Sequence, residues 1–198
     1  GQLAINPFDL NLKINLYNYK ISKLFRPNSI INEFIKSGLL FNENISVRTL
    51  VNIESTKKDR IFNEAKLALK ILNGKISFDK SIFINNNIGL MEISNSDLFL
   101  EKDKLILTAY LSINIKNTDK LYSFLSTNKR LRKDIKNIKF NIIYDFLSNE
   151  IAFQNIKIDD NKVSDQFYNI AEGFNDNNSN NLTKSRRLLN ELIGLYEG

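Results

Sequence analysis

The sequence predicts an α+β, β-rich fold: a curved antiparallel sheet, groove-like or closed as a sandwich, with short amphipathic helices and a C-terminal helical tail. Three observations predict it. Apolar residues recur at every second position in at least seven segments. Asn-, Gly- and Ser-rich turn signals separate those segments at short intervals. A few stretches switch to helical spacing, with a cap-type residue in front and Gly or polar residues behind. Period two marks a strand with one buried face, and period 3.6 marks a helix with one.

The first strand is read in "LNLKINLY", where Leu10, Leu12, Ile14 and Leu16 share a side and Asn11, Lys13 and Asn15 take the other. "KISKLFRPNSIINEFIKSG" follows, broken by Pro27. Ser29 is the expected N-cap of a helix with Ile30, Ile31, Phe34 and Ile35 on one face, ending at Gly38. Ile45, Val47, Thr49, Val51 and Ile53 make a second strand, and "ESTKKDR" a polar turn. From about Ile61 to Ile115 the chain reads as a meander. Ala65, Leu67, Leu69 and Ile71 alternate, and "NGK" at Asn73–Lys75 is a hairpin signal. Short strands are expected at Lys75–Asp79, Ser81–Asn85, Ile88–Ser94 and Asp97–Glu101, parted by "NNN" and "SNS".

The clearest strand closes that series. In "KLILTAYLSINIKN", Leu105, Leu107, Ala109, Leu111, Ile113 and Ile115 form one greasy side. "TDKLYSFLS" is a short helix with Thr118 as its expected N-cap and Leu121, Tyr122 and Leu125 on one face. After "TNKRLRKD", the residues Ile138, Phe140, Ile142, Tyr144 and Phe146 make another strand. Glu150–Asp159 is its hairpin partner, with a bulge near Gln154 where the alternation slips. This gives a β domain over 1–160. The tail, 161–198, holds a helix in "NKVSDQFYNIAEGF", an Asn-rich linker at 175–183, and a terminal helix with Leu188, Leu189, Leu192 and Leu195 on one face. "LKINLYNYKISKLF" and "LSINIKNTDKLYSFL" also share a plan of alternating strand, polar step and short helix, a faint internal echo.

Composition narrows the function classes. The 198 residues include neither Cys nor His, which excludes thiolate chemistry and the usual general base and metal ligand. The glycines are isolated, so there is no phosphate loop, dinucleotide fingerprint or nucleophile elbow. Asp159 and Asp160 read as a turn, since adjacent strand residues face opposite ways, and Asp145 as a solvated carboxylate. No catalytic residues, metal ligands or cofactor are assigned, and the expectation is a non-enzyme. The chain begins with Gly and has no signal peptide, and no apolar run approaches the roughly 18–20 residues of a membrane helix. It reads as a soluble piece cut from something longer, or as a processed product.

The net charge is +6, and Asn128–Lys139 carries six basic residues against one acid. A solvated loop explains such a run. The other readings are contact with anionic headgroups through Lys129, Arg130, Arg132 and Lys133, or with nucleic acid. The nearby aromatics Tyr122, Phe124 and Phe140 fall in packing patterns rather than in a base-stacking ladder, which disfavours nucleic acid.

What covers the greasy face decides the function. Burying the six aliphatic side chains of Leu105–Ile115 contributes roughly 10 kcal/mol. Summed over the sheet, the face exceeds what a monomer leaves in water. Closure by a second layer is one answer. A groove lined by Leu105, Leu107, Leu111, Ile113, Ile115, Ile138, Phe140 and Ile142 and coated by acyl chains is the other.

The stretch from about Gly74 to Tyr144, with "NGKISF", "GLMEISNSDLFLEKDKLILTAYLSINI", "DKLYSFL" and "KRLRKDIKNIKFNIIYDF", resembles the C-terminal region of the AsmA-like envelope proteins of Gram-negative bacteria, in the bridge-like lipid-transport superfamily. The terminal "NELIGLYEG" is similar to the tail of such chains. The likeness lies in alternation over half to two-thirds of the chain. It implies a twisted antiparallel sheet forming a lipid-lined groove, and non-enzymatic glycerophospholipid transport or outer-membrane maintenance. It also implies an inner-membrane anchor outside this sequence, a periplasmic place between the two membranes, and other envelope proteins as neighbours. The rival expectation is a closed β scaffold or protein-interaction module of the envelope.

Overall fold

The computed structural model describes residues 1–5, 8–21, 33, 35–55, 61–175 and 182–196. Among the described residues eleven strands form one sheet: β1 (Gln2–Ile5), β2 (Phe8–Tyr17), β3 (Ile45–Glu54), β4 (Glu64–Leu72), β5 (Lys75–Ser77), β6 (Ser81–Asn85), β7 (Gly89–Glu101), β8 (Lys104–Ile115), β9 (Asn137–Asp145), β10 (Glu150–Ile158) and β11 (Asn161–Lys162). They lie side by side in chain order, with β5 and β6 sharing one lane between β4 and β7. Three helices are described: α1 (Thr118–Leu125), α2 (Asp165–Glu172) and α3 (Leu182–Leu195). The fold is α+β and β-rich. Its strands form one open sheet, not the two stacked sheets of a sandwich.

Most expected strands appear within a residue or two. β1 had no alternation long enough to reveal it. The two strands expected on either side of "SNS" are one strand, β7, with a register shift between Ser94 and Asp97. Asn95 takes a left-handed φ of 49°, and the carboxylate of Asp79 accepts from the backbone N–H of Ser96 (2.6 Å) and from its hydroxyl (2.7 Å). That anchoring turns an apparent break into a bulge. The bulge expected near Gln154 in β10 is present, with Asn155 at φ 51°.

The pairing is antiparallel except between β2 and β3, which run parallel, against expectation. A parallel neighbour needs a long crossover, and the connection from Asn18 to Asn44 supplies it. The helix expected there has Pro27, Ser29, Ile30, Ile31 and Phe34 outside the described residues. Glu33, Ile35 and Lys36 are helical, and Gly38 follows with φ 73°. Most of "ESTKKDR" and of the Asn-rich linker also lies outside the described residues. The echo between Leu12–Phe25 and Leu111–Leu125 does not extend to topology: β2 is followed by a parallel neighbour, β8 by an antiparallel one.

Register places one main apolar set of each strand from β2 to β10 on the same side. Leu10 faces Val47, Val47 faces Ile71, Ile71 faces Ile76 and Ile76 faces Leu98. The row continues through Leu107 and Tyr144 to Ile151. The opposite side is mixed and mostly polar, with Asn52 donating to Asn15 (2.9 Å), Arg48 beside Asp9 (3.4 Å) and Lys139 against Asp160 (2.6 Å).

Three clusters bury parts of the apolar side. Ile35 and Leu40 of the crossover pack with Val47, Ile71, Ile76, Leu98, Leu105 and Phe146. Ile21 packs with Ile53, Ala65 and Phe83. At the far end Tyr122, Leu125, Phe167, Leu192 and Ile193 of the helices cover Ile156 and Ile158, with Ile135 of the basic segment. The buried stripe of α3 is therefore Leu188, Leu192 and Ile193; Leu189 is turned outward.

Helix α1 is capped by Asn117, whose side chain accepts from the N–H of Lys120 (3.0 Å), so the cap lies one residue before the expected Thr118. It ends at Ser126 with φ 59°. The fully buried Tyr122 donates its hydroxyl to the carbonyl of Lys133 and accepts from that residue's N–H (2.9 Å).

Two substitutions test these supports. Gly89 has φ 155°, and a Cβ there would lie 2.0 Å from the carbonyl oxygen of Asn114 on β8. Gly89→Ala is expected to destabilise by at least about 2 kcal/mol; an unchanged urea midpoint contradicts the β7–β8 register. Tyr122→Phe removes the hydroxyl that meets both backbone groups of Lys133 and is expected to cost about 1–3 kcal/mol, read as a lowered thermal midpoint.

Candidate functional site

The apolar side is best followed as rows crossing the strands. The row from Leu10 to Ile151 contains the buried Val47, Ile71, Ile76 and Leu98. The parallel row Leu16, Ile53, Ala65, Phe83, Met91, Ile113, Ile138 and Ile158 contains the buried Ile53, Ala65, Phe83 and Ile158. Six residues separate the two rows along β2, about 20 Å of strand.

Two rows lie between them. One begins at Leu12, Thr49 and Leu69 and reappears as Ala109, Ile142 and Phe153. The other begins at Ile14, Val51 and Leu67 and reappears as Ser81, Ile93, Leu111 and Phe140. Ala109, Leu111 and Ser81 are buried, while the remaining members are half-buried and Ile14 is 37% exposed. The central rows are thus less covered than the flanking ones. From β2 to β9 the strip crosses six inter-strand steps of about 4.8 Å, roughly 29 Å in all.

Ser81 is the polar exception, and the topology explains it. The lane shared by β5 and β6 breaks opposite Ala68. The Ser81 hydroxyl accepts from the N–H of Ala68 (3.0 Å) and donates to its carbonyl (3.4 Å), so the break leaves no orphaned backbone group there.

The structure brings all eight residues expected to line a groove onto one face of β8 and β9, in different settings. Leu105 is 1% exposed and belongs to the cluster around Leu98 and Phe146. Leu107 packs against that cluster. Ile115, Ile138 and Phe140 pack against the helical cluster. Leu111 is buried, and Ile113 and Ile142 are half-buried outside all three clusters. The β2–β4 half of the strip, Leu12, Ile14, Val51, Leu67 and Leu69, was not singled out from the sequence. Its alternation was visible, but only register shows that it continues the rows of β8 and β9.

The four basic candidates divide. Lys129 and Arg130 are exposed on a single 3-10 turn. Arg132 donates from Nε and Nη2 to the carbonyl of Thr127 (3.3 and 3.2 Å) and lies over the Tyr122 ring (5.9 Å). Lys133 supplies the backbone groups that meet Tyr122. Arg132 and Lys133 therefore fasten this segment to α1.

The carboxylates have structural partners. Asp159 and Asp160 form the β10–β11 turn, both with left-handed φ. Asp159 accepts from the N–H groups of Lys136 and Asn137 (2.8 Å each). The salt-bridged hydrogen bond from Lys139 lowers the Asp160 carboxyl below its ordinary value and raises the Lys139 amine. Asp145 accepts from the N–H of Leu147 (2.9 Å) in the β9–β10 turn. Among the described residues no three acidic side chains gather as a metal-holding group, and no helix is long and apolar enough to cross a membrane. No protein-family model, curated protein or solved structure matches the chain.

Core and strip are separable by stability. Leu105→Ala is expected to cost about 2–5 kcal/mol, as for a deeply buried leucine. Ile142→Ala is expected to cost well under half of that, because a half-buried side chain leaves no closed cavity. Equal urea midpoints for the two variants would show that the strip is ordinary core.

Proposed function

We propose that the chain is a non-enzymatic lipid-binding and lipid-transport segment that holds acyl chains across its sheet. The carrying observation is the pair of central rows from Leu12 and Ile14 to Ile142 and Phe140, less covered than the buried rows on either side. An acyl chain laid there removes apolar surface from water on both partners, at about 0.8 kcal/mol per methylene. The lining makes no directional bonds along most of its length, so one position holds a chain about as well as the next. That property suits sliding transfer.

The lining set under this reading is Leu111, Phe140 and Ile142 of the original eight, joined by Leu12, Ile14, Val51, Leu67 and Leu69; Leu107 and Ile113, in the flanking rows, border it. Leu105, Ile115 and Ile138 serve as its packed walls. Of the four basic candidates, Lys129 and Arg130 are the exposed pair that would meet phospholipid headgroups. The reading is consistent with the AsmA-like resemblance, and with it a periplasmic, envelope-associated setting for the parent protein. It rests on the rows, not on the resemblance.

A fluorescent phospholipid titration tests it. Ile142→Lys places a charge in the strip at a site that is not closed core. It is expected to reduce binding by about tenfold or more, the worth of a single unfavourable charge on an acyl path, with the circular dichroism spectrum unchanged. Wild-type binding by a folded Ile142→Lys variant contradicts the proposal.

A further inference from the structure

A cavity of about 480 Å³ lies away from the strip, between the C-terminal end of α1, the 3-10 turn Lys129–Leu131 and the outer side of α3. Leu125 and Leu131 give it apolar walls, and Gly194 adds no side chain to close it. Its polar side comes from α3, where Arg186, Arg187, Asn190 and Glu191 face it.

These four side chains differ in what they have left to offer. Asn190 is fully engaged: its Oδ1 accepts from the Thr127 hydroxyl (2.6 Å), and its Nδ2 donates to the carbonyl of Leu125 (3.0 Å). Arg187 is neutralised by Glu191 one turn on (3.4 Å). Arg186 has no carboxylate partner among the described residues. Its guanidinium lies over the Phe124 ring, 4.8 Å from the centroid. Its Nε is buried and meets no acceptor among the described residues.

A half-buried guanidinium without an anion is costly, and stacking on a ring satisfies its face but not its N–H edge. Nε has no accessible surface, so the donors left to meet an oxyanion in the cavity are those of the two terminal Nη nitrogens, a planar fork that can pair with the oxygens of phosphate or carboxylate. An anion carrying a short alkyl group would meet Arg186 at one end and Leu125 and Leu131 at the other. We propose that this cavity binds a small amphiphilic oxyanion, a phosphate ester or carboxylate on a short alkyl group, through Arg186. The inference stands apart from the lipid strip and does not depend on it.

The test is a titration of the ¹⁵N-labelled chain with octyl phosphate below its micellar concentration, with inorganic phosphate and octanol in parallel. Octyl phosphate is expected to saturate and to shift the amides of Leu125, Ser126, Leu131 and Asn190. Inorganic phosphate is expected to shift the same amides about tenfold more weakly, and Arg186→Gln to weaken octyl phosphate by about tenfold or more, the usual loss for a charge-assisted pair. Arg186→Lys, which keeps the charge and loses the fork, should fall between, and both variants should keep the wild-type spectrum elsewhere. Ile142→Lys should leave this binding unchanged, so failure of the lipid reading and failure of this one are separate results. Wild-type affinity in Arg186→Gln overturns the proposal, as do shifts confined to the rows of β7–β9. Equal affinity for inorganic and octyl phosphate overturns the amphiphilic assignment.

Discussion

Parity is the constraint on which this structure depends. In a strand, successive side chains alternate between faces, so a slip of one residue moves a whole apolar set into water. From β2 to β10 every strand must present its main apolar set to the same side, and register shows that each does, with Phe83 rather than Ile82 and Ile84 on that side in β6. Two long strands would fail if regular throughout. In β7, Met91 and Ile93 sit at odd positions but Leu98 and Leu100 at even ones. In β10, Ile151 and Phe153 give way to Ile158. One inserted step in each corrects the phase, and each contains an Asn in the left-handed conformation, which Asn tolerates better than most residues. The bulges keep an eleven-stranded sheet one-sided.

One-sidedness then dictates the rest. The apolar side must be covered, and the chain covers it from separate directions with the crossover between β2 and β3 and with the three helices. Each cover buries the rows beneath it. The rows between them are less covered, half-buried apart from Ala109, Leu111 and Ser81, and the proposed acyl path is what these covers leave over. The basic segment enters the same economy. Arg132 and Lys133 lock it to α1 around Tyr122, so its charge near Lys129 and Arg130 is held in place by hydrogen bonds that involve backbone groups.

Most strands were legible because period two is a local property. "KLILTAYLSINIKN" declares β8 without reference to any neighbour, and the slip near Gln154 declared its own bulge. What stayed hidden needed contacts distant in sequence. The parallel pairing of β2 with β3 depends on where the crossover lands. The continuity of β7 depends on Asp79 reaching Ser96, which turned an apparent "SNS" turn into a bulge. Asn117 displaced Thr118 as cap because its side chain, not its neighbour's, reaches the N–H of Lys120. The candidate site was half legible. The β8–β9 lining followed from alternation. Its β2–β4 continuation, and the removal of Leu105 into core, followed only from register and packing.

The most direct test of the lipid reading is native mass spectrometry of the gently purified chain, with organic extraction of the same sample. Discrete adducts at phospholipid masses that disappear on extraction are expected. A bare-mass monomer that unfolds cooperatively and yields no extractable lipid would contradict it, and would mean that the chain covers its apolar face with its own side chains.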